Sequence, residues 1–120
     1  MKTYTALLLV AAATRVAAGG FASSCSGISF SSTTLSANCD DKYQESYPAD
    51  IDLTGCLANV GGKIVCRPSN PSFKFCDCGL SGDKKSLNCR CTDSSGKKQP
   101  TSTVNLDACI TNKDADLTCH

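Results

Sequence analysis

The sequence predicts an all-β, disulfide-rich protein built from two related repeats. Ten cysteines occur among 120 residues, a density typical of an oxidised scaffold and not of a cytosolic enzyme. Cysteine and leucine spacings recur in the two halves of the chain, which indicates an internal repeat. Apolar residues alternate with polar ones at period two, and no segment has the period of an amphipathic helix.

The first 18 residues have the features of a signal peptide. Lys2 precedes an apolar run over residues 6–13, and small residues end at Ala18. We expect cleavage after Ala18, with Gly20 as the alternative, and a secreted, extracellular protein over residues 19–120. The apolar run is too short to span a bilayer, which needs about 20 apolar residues.

The charge of the exported part is close to neutral. Removing residues 1–18 removes two basic residues and leaves 10 basic and 11 acidic ones. This balance gives no basis for nucleic-acid binding or for membrane association. A single compact domain is expected, with disulfides contributing to its stability because its apolar core is small.

Two segments of the chain, residues 21–66 and 73–119, have matching spacings. The corresponding pairs are Leu35–Cys39 and Leu87–Cys91, Leu53–Cys56 and Leu106–Cys109, and Cys56–Cys66 and Cys109–Cys119. Between the repeats, residues 67–72 contain two prolines, which exclude a helix and favour an extended linker.

Each repeat has the pattern of short strands and hairpins. In the first repeat, Ile28 and Phe30, then Leu35 and Ala37, recur at even spacing on either side of a Ser-Ser-Thr-Thr turn. A short helical turn is expected near Leu53 and near Leu106, because Asp50 and Thr103 precede these positions as potential caps.

The cysteine positions predict five disulfides. Opposed residues of an antiparallel hairpin have a constant sum of residue numbers, and both Cys76–Cys91 and Cys78–Cys89 satisfy one register. Cys25–Cys39 is the corresponding pair of the first repeat. Pairing the remaining four by proximity predicts the following two bridges, each internal to one repeat: Cys56–Cys66 and Cys109–Cys119.

A metal cluster of Cys76, Cys78, Cys89 and Cys91 is the alternative for those four residues. Cys-x-Cys is a poorer zinc spacing than Cys-x-x-Cys, and an oxidising compartment disfavours free thiolates. We therefore predict disulfides, no metal and no cofactor.

The repeats resemble the cyanovirin-N homologue lectins over residues 21–119. The resemblance rests on Ile51-Asp-Leu, on Asn59-Val-Gly-Gly, on the Pro68-Ser-Asn linker and on Val104-Asn-Leu-Asp. It implies two pseudosymmetric repeats, each a triple-stranded sheet plus a hairpin, with the strands exchanged between them. It further implies binding of oligosaccharides, mannose-containing ones above all, or of glycoproteins.

The resemblance also implies two carbohydrate sites, each combining distant segments. The first would contain Ser23, Ser24, Asp40, Asp41, Lys42, Asn112, Lys113 and Asp114. The second would contain Asn59, Ser69, Asn70, Thr92, Asp93 and Ser94. Carboxylates, amides and hydroxyls on rigid turns suit sugar hydroxyls, which both donate and accept hydrogen bonds. The same residue types are also the ordinary residues of exposed turns.

Two positions depart from the family pattern. Ala115 stands at a hairpin tip where the family has Gly, so a different turn is expected there. Phe75 stands just before Cys76, where a small hydroxyl residue is expected; it could stack on a sugar or fill the site.

Two other functional classes compete with the lectin interpretation. An enzyme has little support, because the single histidine is the last residue and no nucleophile motif is present; we predict no catalysis. A secreted interaction or effector protein could keep this scaffold without binding sugar. We expect a monomer, and a domain-swapped dimer remains open because the five predicted bridges lie within repeats.

Overall fold

A computed structural model describes residues 19–119 as ten β-strands with three short 3₁₀ turns. The predicted signal peptide lies outside the described residues. The strands are β1 (Cys25–Ser31), β2 (Thr34–Asp40), β3 (Ser46–Asp52), β4 (Leu57–Val60), β5 (Lys63–Cys66), β6 (Cys76–Leu80), β7 (Ser86–Cys91), β8 (Ser102–Asn105), β9 (Ile110–Lys113) and β10 (Asp116–Cys119). No helix within residues 19–119 is long and apolar enough to cross a membrane.

The strands form two triple-stranded antiparallel sheets and two hairpins, as predicted. The first sheet has the order β1-β2-β3, the second has β6-β7-β8, and the hairpins are β4–β5 and β9–β10. The central strand of each sheet turns alternate residues inward, because side chains in a strand point to opposite faces. The inward residues are Leu35, Ala37 and Cys39 on β2 and Leu87, Cys89 and Cys91 on β7.

The hairpins are exchanged between the repeats. Hairpin β4–β5 packs against β7 and β8 of the second sheet, whereas β10 packs against β3 of the first. The backbone N–H of Ile64 on β5 donates to Ser102 Oγ on β8 at 2.9 Å. Each sheet therefore receives its hairpin from the other half of the chain, and one apolar cluster joins all four units.

Short 3₁₀ turns precede both hairpins, at Leu53–Gly55 and Leu106–Ala108. The predicted caps are wrong by two residues. Asp52, rather than Asp50, caps the first turn by accepting a hydrogen bond from the Thr54 N–H, because the turn begins at Leu53, directly after Asp52. Asn105, rather than Thr103, precedes the second turn and makes no side-chain cap.

All ten cysteines lie within the described range and form five disulfides. Three predicted bridges are confirmed: Cys25–Cys39, Cys76–Cys91 and Cys78–Cys89. Each joins directly opposed residues of a strand pair. The cysteines considered as a metal cluster are thus joined in pairs across β6 and β7.

The predicted bridges Cys56–Cys66 and Cys109–Cys119 are wrong. The structure instead joins Cys56 to Cys119 and Cys66 to Cys109, with Cα–Cα distances of 5.9 and 6.0 Å. Cys66 lies opposite Leu57 rather than Cys56, and Cys119 lies opposite Ile110 rather than Cys109. Because neighbouring side chains of a strand point to opposite faces, neither local pair faces its partner. Both bridges join residues before the linker to residues after it.

The linker is folded against the first hairpin. The Asn70 N–H donates to the Arg67 carbonyl at 3.2 Å, so residues 67–70 turn back and are not extended as predicted. Ser72 then lies beside β4, where its N–H donates to Leu57 O at 3.0 Å and its carbonyl accepts from Asn59 N at 2.8 Å.

Candidate functional site

The first candidate site is a cleft of about 560 Å³ between the start of the first sheet and the tip of hairpin β9–β10. Its lining residues are Ser23, Ser24, Asp40, Asp41, Lys42, Gln44, Asn112 and Asp114. The fold thus brings together seven of the eight residues predicted for this site. The remaining one, Lys113, is exposed at the end of β9 and does not line the cleft.

Asn112 joins the hairpin to the sheet. Its side-chain Nδ2 donates to Ser24 Oγ at 2.8 Å and to the Asp40 carbonyl at 2.9 Å. Its Oδ1 accepts from the Ala115 N–H at 2.9 Å, which closes the hairpin tip. All three hydrogen bonds are internal, so Asn112 shapes the cleft and its amide donors are already used.

Asp41 organises the loop after β2. Its Oδ1 accepts from the backbone N–H groups of Tyr43 and Glu45, both at 2.9 Å. This pattern is an Asx turn, in which a carboxylate replaces backbone acceptors. The loop also places Gln44 at the cleft with a positive φ of 65°, a role that the sequence-based prediction missed.

The hairpin tip keeps the left-handed turn despite Ala115. Asp114 and Ala115 have φ of 55° and 70°, and Gly61 and Gly62 at the other tip have 62° and 89°. The different turn expected for Ala115 is therefore wrong. Asp114 Oδ1 also accepts from the Lys42 N–H at 2.8 Å, which ties the tip to the loop after β2.

Asp40 provides a carboxylate of the first cleft that the fold does not use. Its backbone carbonyl accepts from Asn112, but its side chain makes no hydrogen bond to another residue of the described range. Ser24 Oγ, which accepts from Asn112, still has its own hydroxyl hydrogen to donate. The cleft therefore offers a free acceptor group beside a hydroxyl, an arrangement suited to vicinal hydroxyls.

The second candidate site is a cleft of about 420 Å³ at the equivalent position of the second sheet. Its lining residues are Asn59, Gly61, Ser72, Lys74, Phe75, Thr92, Asp93, Ser94 and Gly96. Four of the six predicted residues are present. Ser69 and Asn70 are exposed in the linker turn and do not line the cleft. The turn carries these two residues away from the cleft, and the chain returns to β4 only at Ser72.

Asn59 plays in this cleft the part that Asn112 plays in the first. Its Nδ2 donates to the carbonyls of Thr92 and Lys74 at 2.8 and 3.0 Å, and its Oδ1 accepts from the Gly62 N–H at 2.8 Å. Thr92 corresponds to Asp40, since each follows the last cysteine of the central strand. The two clefts thus share one internal framework.

Asp93 likewise corresponds to Asp41. Its Oδ1 accepts from the N–H groups of Ser95 and Lys97, and its Oδ2 accepts from Gln99 Nε2 at 2.7 Å. The Ser95 hydroxyl, which also donates to this carboxylate, and the Lys97 N–H lower the pKa of Asp93 to about 2. Hydrogen bonds to the charged form have this effect. Asp93 therefore stabilises its loop.

Phe75 gives the second cleft a character that the first lacks. Its side chain is 74% exposed, and its backbone has a positive φ of 61°. The residue in the same position of the first repeat is Ser24, whose carbonyl accepts from Asp40 N as the Phe75 carbonyl accepts from Thr92 N. An aromatic ring thus takes the place of a hydroxyl.

The prediction missed several lining residues of the second cleft. Ser72 and Lys74 follow the linker that the prediction placed in the site, while Gly61 and Gly96 occupy left-handed turn positions with φ of 62° and 84°. When the repeats are aligned at Cys25 and Cys76, Lys74 matches Ser23, a residue predicted for the first site. This alignment is the signal that could have identified Lys74 as a lining residue of the second cleft.

The fold consists of two triple-stranded sheets with exchanged hairpins. Each sheet carries a polar cleft whose loops are held by an asparagine and an Asx turn. These features define a class of two-repeat β-proteins. The CVNH domain model matches residues 21–118, so the chain belongs to the CVNH domain family. A comparison with curated protein sequences gives no match.

Solved structures of CVNH proteins have the same fold. A MoCVNH3 variant in complex with (N-GlcNAc)4 has a TM-score of 0.72 at 21% identity, covering 86% of this chain and 98% of the other. GzCVNH of Gibberella zeae has a TM-score of 0.67 at 21% identity, covering 84% and 97%. Microvirin in complex with mannobiose has a TM-score of 0.65 at 25% identity, covering 85% and 99%.

Proposed function

We propose that this chain is a secreted carbohydrate-binding protein without catalytic activity, in which the first cleft binds mannose-containing oligosaccharides. The observation that carries the proposal is the duplicated framework of the clefts. In each cleft an asparagine and an Asx turn fix the loops through internal hydrogen bonds. The groups that these loops leave available for a ligand include the Ser24 hydroxyl and the Asp40 carboxylate.

Relatives support the saccharide as ligand. Microvirin, solved with mannobiose, shares 25% of its residues with this chain over 99% of its own length. Five disulfides and the signal-peptide pattern predicted for residues 1–18 support export. N-terminal sequencing of the secreted protein, expected to start at Gly19 or Phe21, tests the export proposal.

Asp40→Ala is the sharpest test at the first cleft. The Asp40 carboxylate makes no hydrogen bond within the described range, so its loss should leave the fold intact while removing a ligand acceptor. We expect the affinity for α-mannobiose at the first cleft to fall by about ten- to a hundredfold, the effect of losing a hydrogen bond to a charged group. The measurement is titration of the ¹⁵N-labelled protein, following the amide signals of residues 40–44.

Asp50→Ala is the matched control, because Asp50 is exposed on β3 and lies outside both clefts. It should bind as the wild type does. If no mannose-containing glycan on a glycan array or in the titration binds the wild type, the mannose proposal is wrong. If no glycan of any kind binds, the chain is instead a stapled interaction protein.

A further inference from the structure

We propose that Phe75 makes the second cleft selective for a β-linked, gluco-configured pyranose, stacked on its ring. This inference rests on the proposed function and narrows it, because it assigns the two clefts different sugars. It is carried by the exposure of the ring, by its backbone conformation and by the groups that share the cleft with it.

The backbone at Phe75 is held in a costly conformation. Its φ of 61° lies in the left-handed region, which a bulky side chain rarely adopts. A hydrogen bond that differs between the repeats holds the peptide before Phe75: the Lys74 carbonyl accepts from Asn59 Nδ2 at 3.0 Å, whereas in the first repeat the equivalent Asn112 donates to Ser24 Oγ. Ser24, at the equivalent position, has φ of −126°. Strain of this kind is concentrated at ligand-binding sites.

The side chain is not used by the fold. Phe75 is 74% exposed and lies outside the apolar core cluster, yet it lines the cleft together with Thr92 and Ser94. A ring beside hydroxyls matches a ligand with an apolar face and a polar edge. Pockets for small ligands commonly combine aromatic walls with a few polar groups.

Pyranose stereochemistry decides which sugar fits. A β-linked glucose or N-acetylglucosamine unit has only C–H groups in axial positions, so its ring can lie flat on an aromatic face. An α-linked mannose unit has an axial oxygen on each face, O1 on one and O2 on the other. The ring of Phe75 therefore favours the first configuration over the second.

The test is titration of ¹⁵N-labelled protein with cellotetraose and with α-mannobiose. We expect cellotetraose to shift the amide signals of residues 92–96, and Phe75→Ser, which restores the residue type of the first repeat, to weaken this binding roughly tenfold. Phe75→Tyr should retain the affinity and Phe75→Leu should not, because stacking needs a flat ring. Amide spectra of each variant show whether the fold is kept.

Tyr43→Ser is the matched control. Tyr43 is also 74% exposed, but it lies outside the second cleft and contacts the Lys42 ammonium at 5.4 Å from the ring centre. Its replacement should leave cellotetraose binding unchanged.

Four outcomes would overturn the inference. Tighter or equal binding in Phe75→Ser would show that the ring fills the cleft or plays no part. A lower dissociation constant for α-mannobiose than for cellotetraose, measured from the amide signals of residues 92–96, would reverse the assigned selectivity. Shifts confined to residues 40–44 would contradict the inference but not the proposed function. If no saccharide shifts any amide signal, both are contradicted.

Discussion

Asn59 and Asn112 show how polar residues at a cleft can be structural. Each uses both amide hydrogens and its carbonyl oxygen within the fold. Their position near a site could be predicted from the repeat, since both begin a hairpin tip. Their role could not, because the partners are backbone groups of distant loops whose approach depends on the exchanged hairpins.

Replacing Asn112 by Ala should destabilise the protein. Three partly buried hydrogen bonds disappear, each with a net value of about 1 kcal/mol, so the free energy of unfolding should fall by about 2–3 kcal/mol. Urea denaturation followed by circular dichroism measures this. Asn38→Ala is the control, since Asn38 is exposed on β2; an equal loss in both variants would contradict the structural role of Asn112.

Asp93 should titrate far below an ordinary aspartate. Its pKa in the folded protein is about 2, against an ordinary 3.8. The stabilisation of its loop is therefore present above about pH 4 and is lost as the pH falls through about 2. A ¹³C NMR titration of the side-chain carboxyl group measures this midpoint. Ser95→Ala removes the largest cause and should raise the pKa; a wild-type midpoint near 4 would show that the hydrogen bonds are not maintained.

The two hairpin tips should respond oppositely to exchange of Gly and Ala. Ala115→Gly relieves a residue at φ 70° and should stabilise the protein by roughly 0.5–1 kcal/mol. Gly62→Ala should destabilise it by about 2 kcal/mol or more, because Gly62 has φ of 89° and the new Cβ would overlap the Gln99 side chain. Thermal unfolding of the two variants provides the comparison, and destabilisation by Ala115→Gly would contradict the left-handed turn.

Strand pairing was the part of the fold most accessible from the sequence. The constant sum of residue numbers predicts the β6–β7 register, and the structure pairs Cys76 with Cys91 and Cys78 with Cys89. The remaining bridges could not be found by local spacing, because hairpin exchange separates the residues of one repeat and joins those of different repeats. Phe75 could be identified from its position before Cys76, and it does line the second cleft. Gln44 could not, because its place in the first cleft depends on a loop conformation that spacing does not encode.

The bridges should differ in their contribution to stability. With Cys66–Cys109 kept, Cys56–Cys119 closes a loop of about 20 residues and should contribute about 3 kcal/mol. Cys78–Cys89 lies within the loop already closed by Cys76–Cys91 and should contribute about 2 kcal/mol or less. Replacing each pair by Ala and measuring unfolding in guanidinium tests this order. A larger loss for Cys78–Cys89 would contradict it.

The whole molecule should be locked as a monomer once it is oxidised. Both crossing bridges join residues up to 66 with residues from 109 onward, so a dimer swapped at the linker would need them to form between chains. On the sequence alone a domain-swapped dimer remains open, because all five predicted bridges lie within repeats. With the observed bridges, a dimer swapped at the linker would have its two chains joined by disulfides.

Light scattering and non-reducing gels measure this prediction. The oxidised protein should have the mass of one chain, and any dimer should separate only on reduction. Replacing Cys56, Cys66, Cys109 and Cys119 together by Ala should permit a non-covalent swapped dimer at high concentration. A non-covalent dimer of the fully oxidised wild type would contradict the lock.

The crossing bridges also shape how the chain reaches its native state. The native partners of Cys56 and Cys66 are cysteines that lie 63 and 43 residues away in the sequence. Until these are available, pairing with each other closes a much shorter loop, and loop entropy favours it by roughly 1–2 kcal/mol. Oxidative refolding should therefore pass through species with hairpin-local disulfides, and a disulfide isomerase should accelerate the final step by reshuffling them.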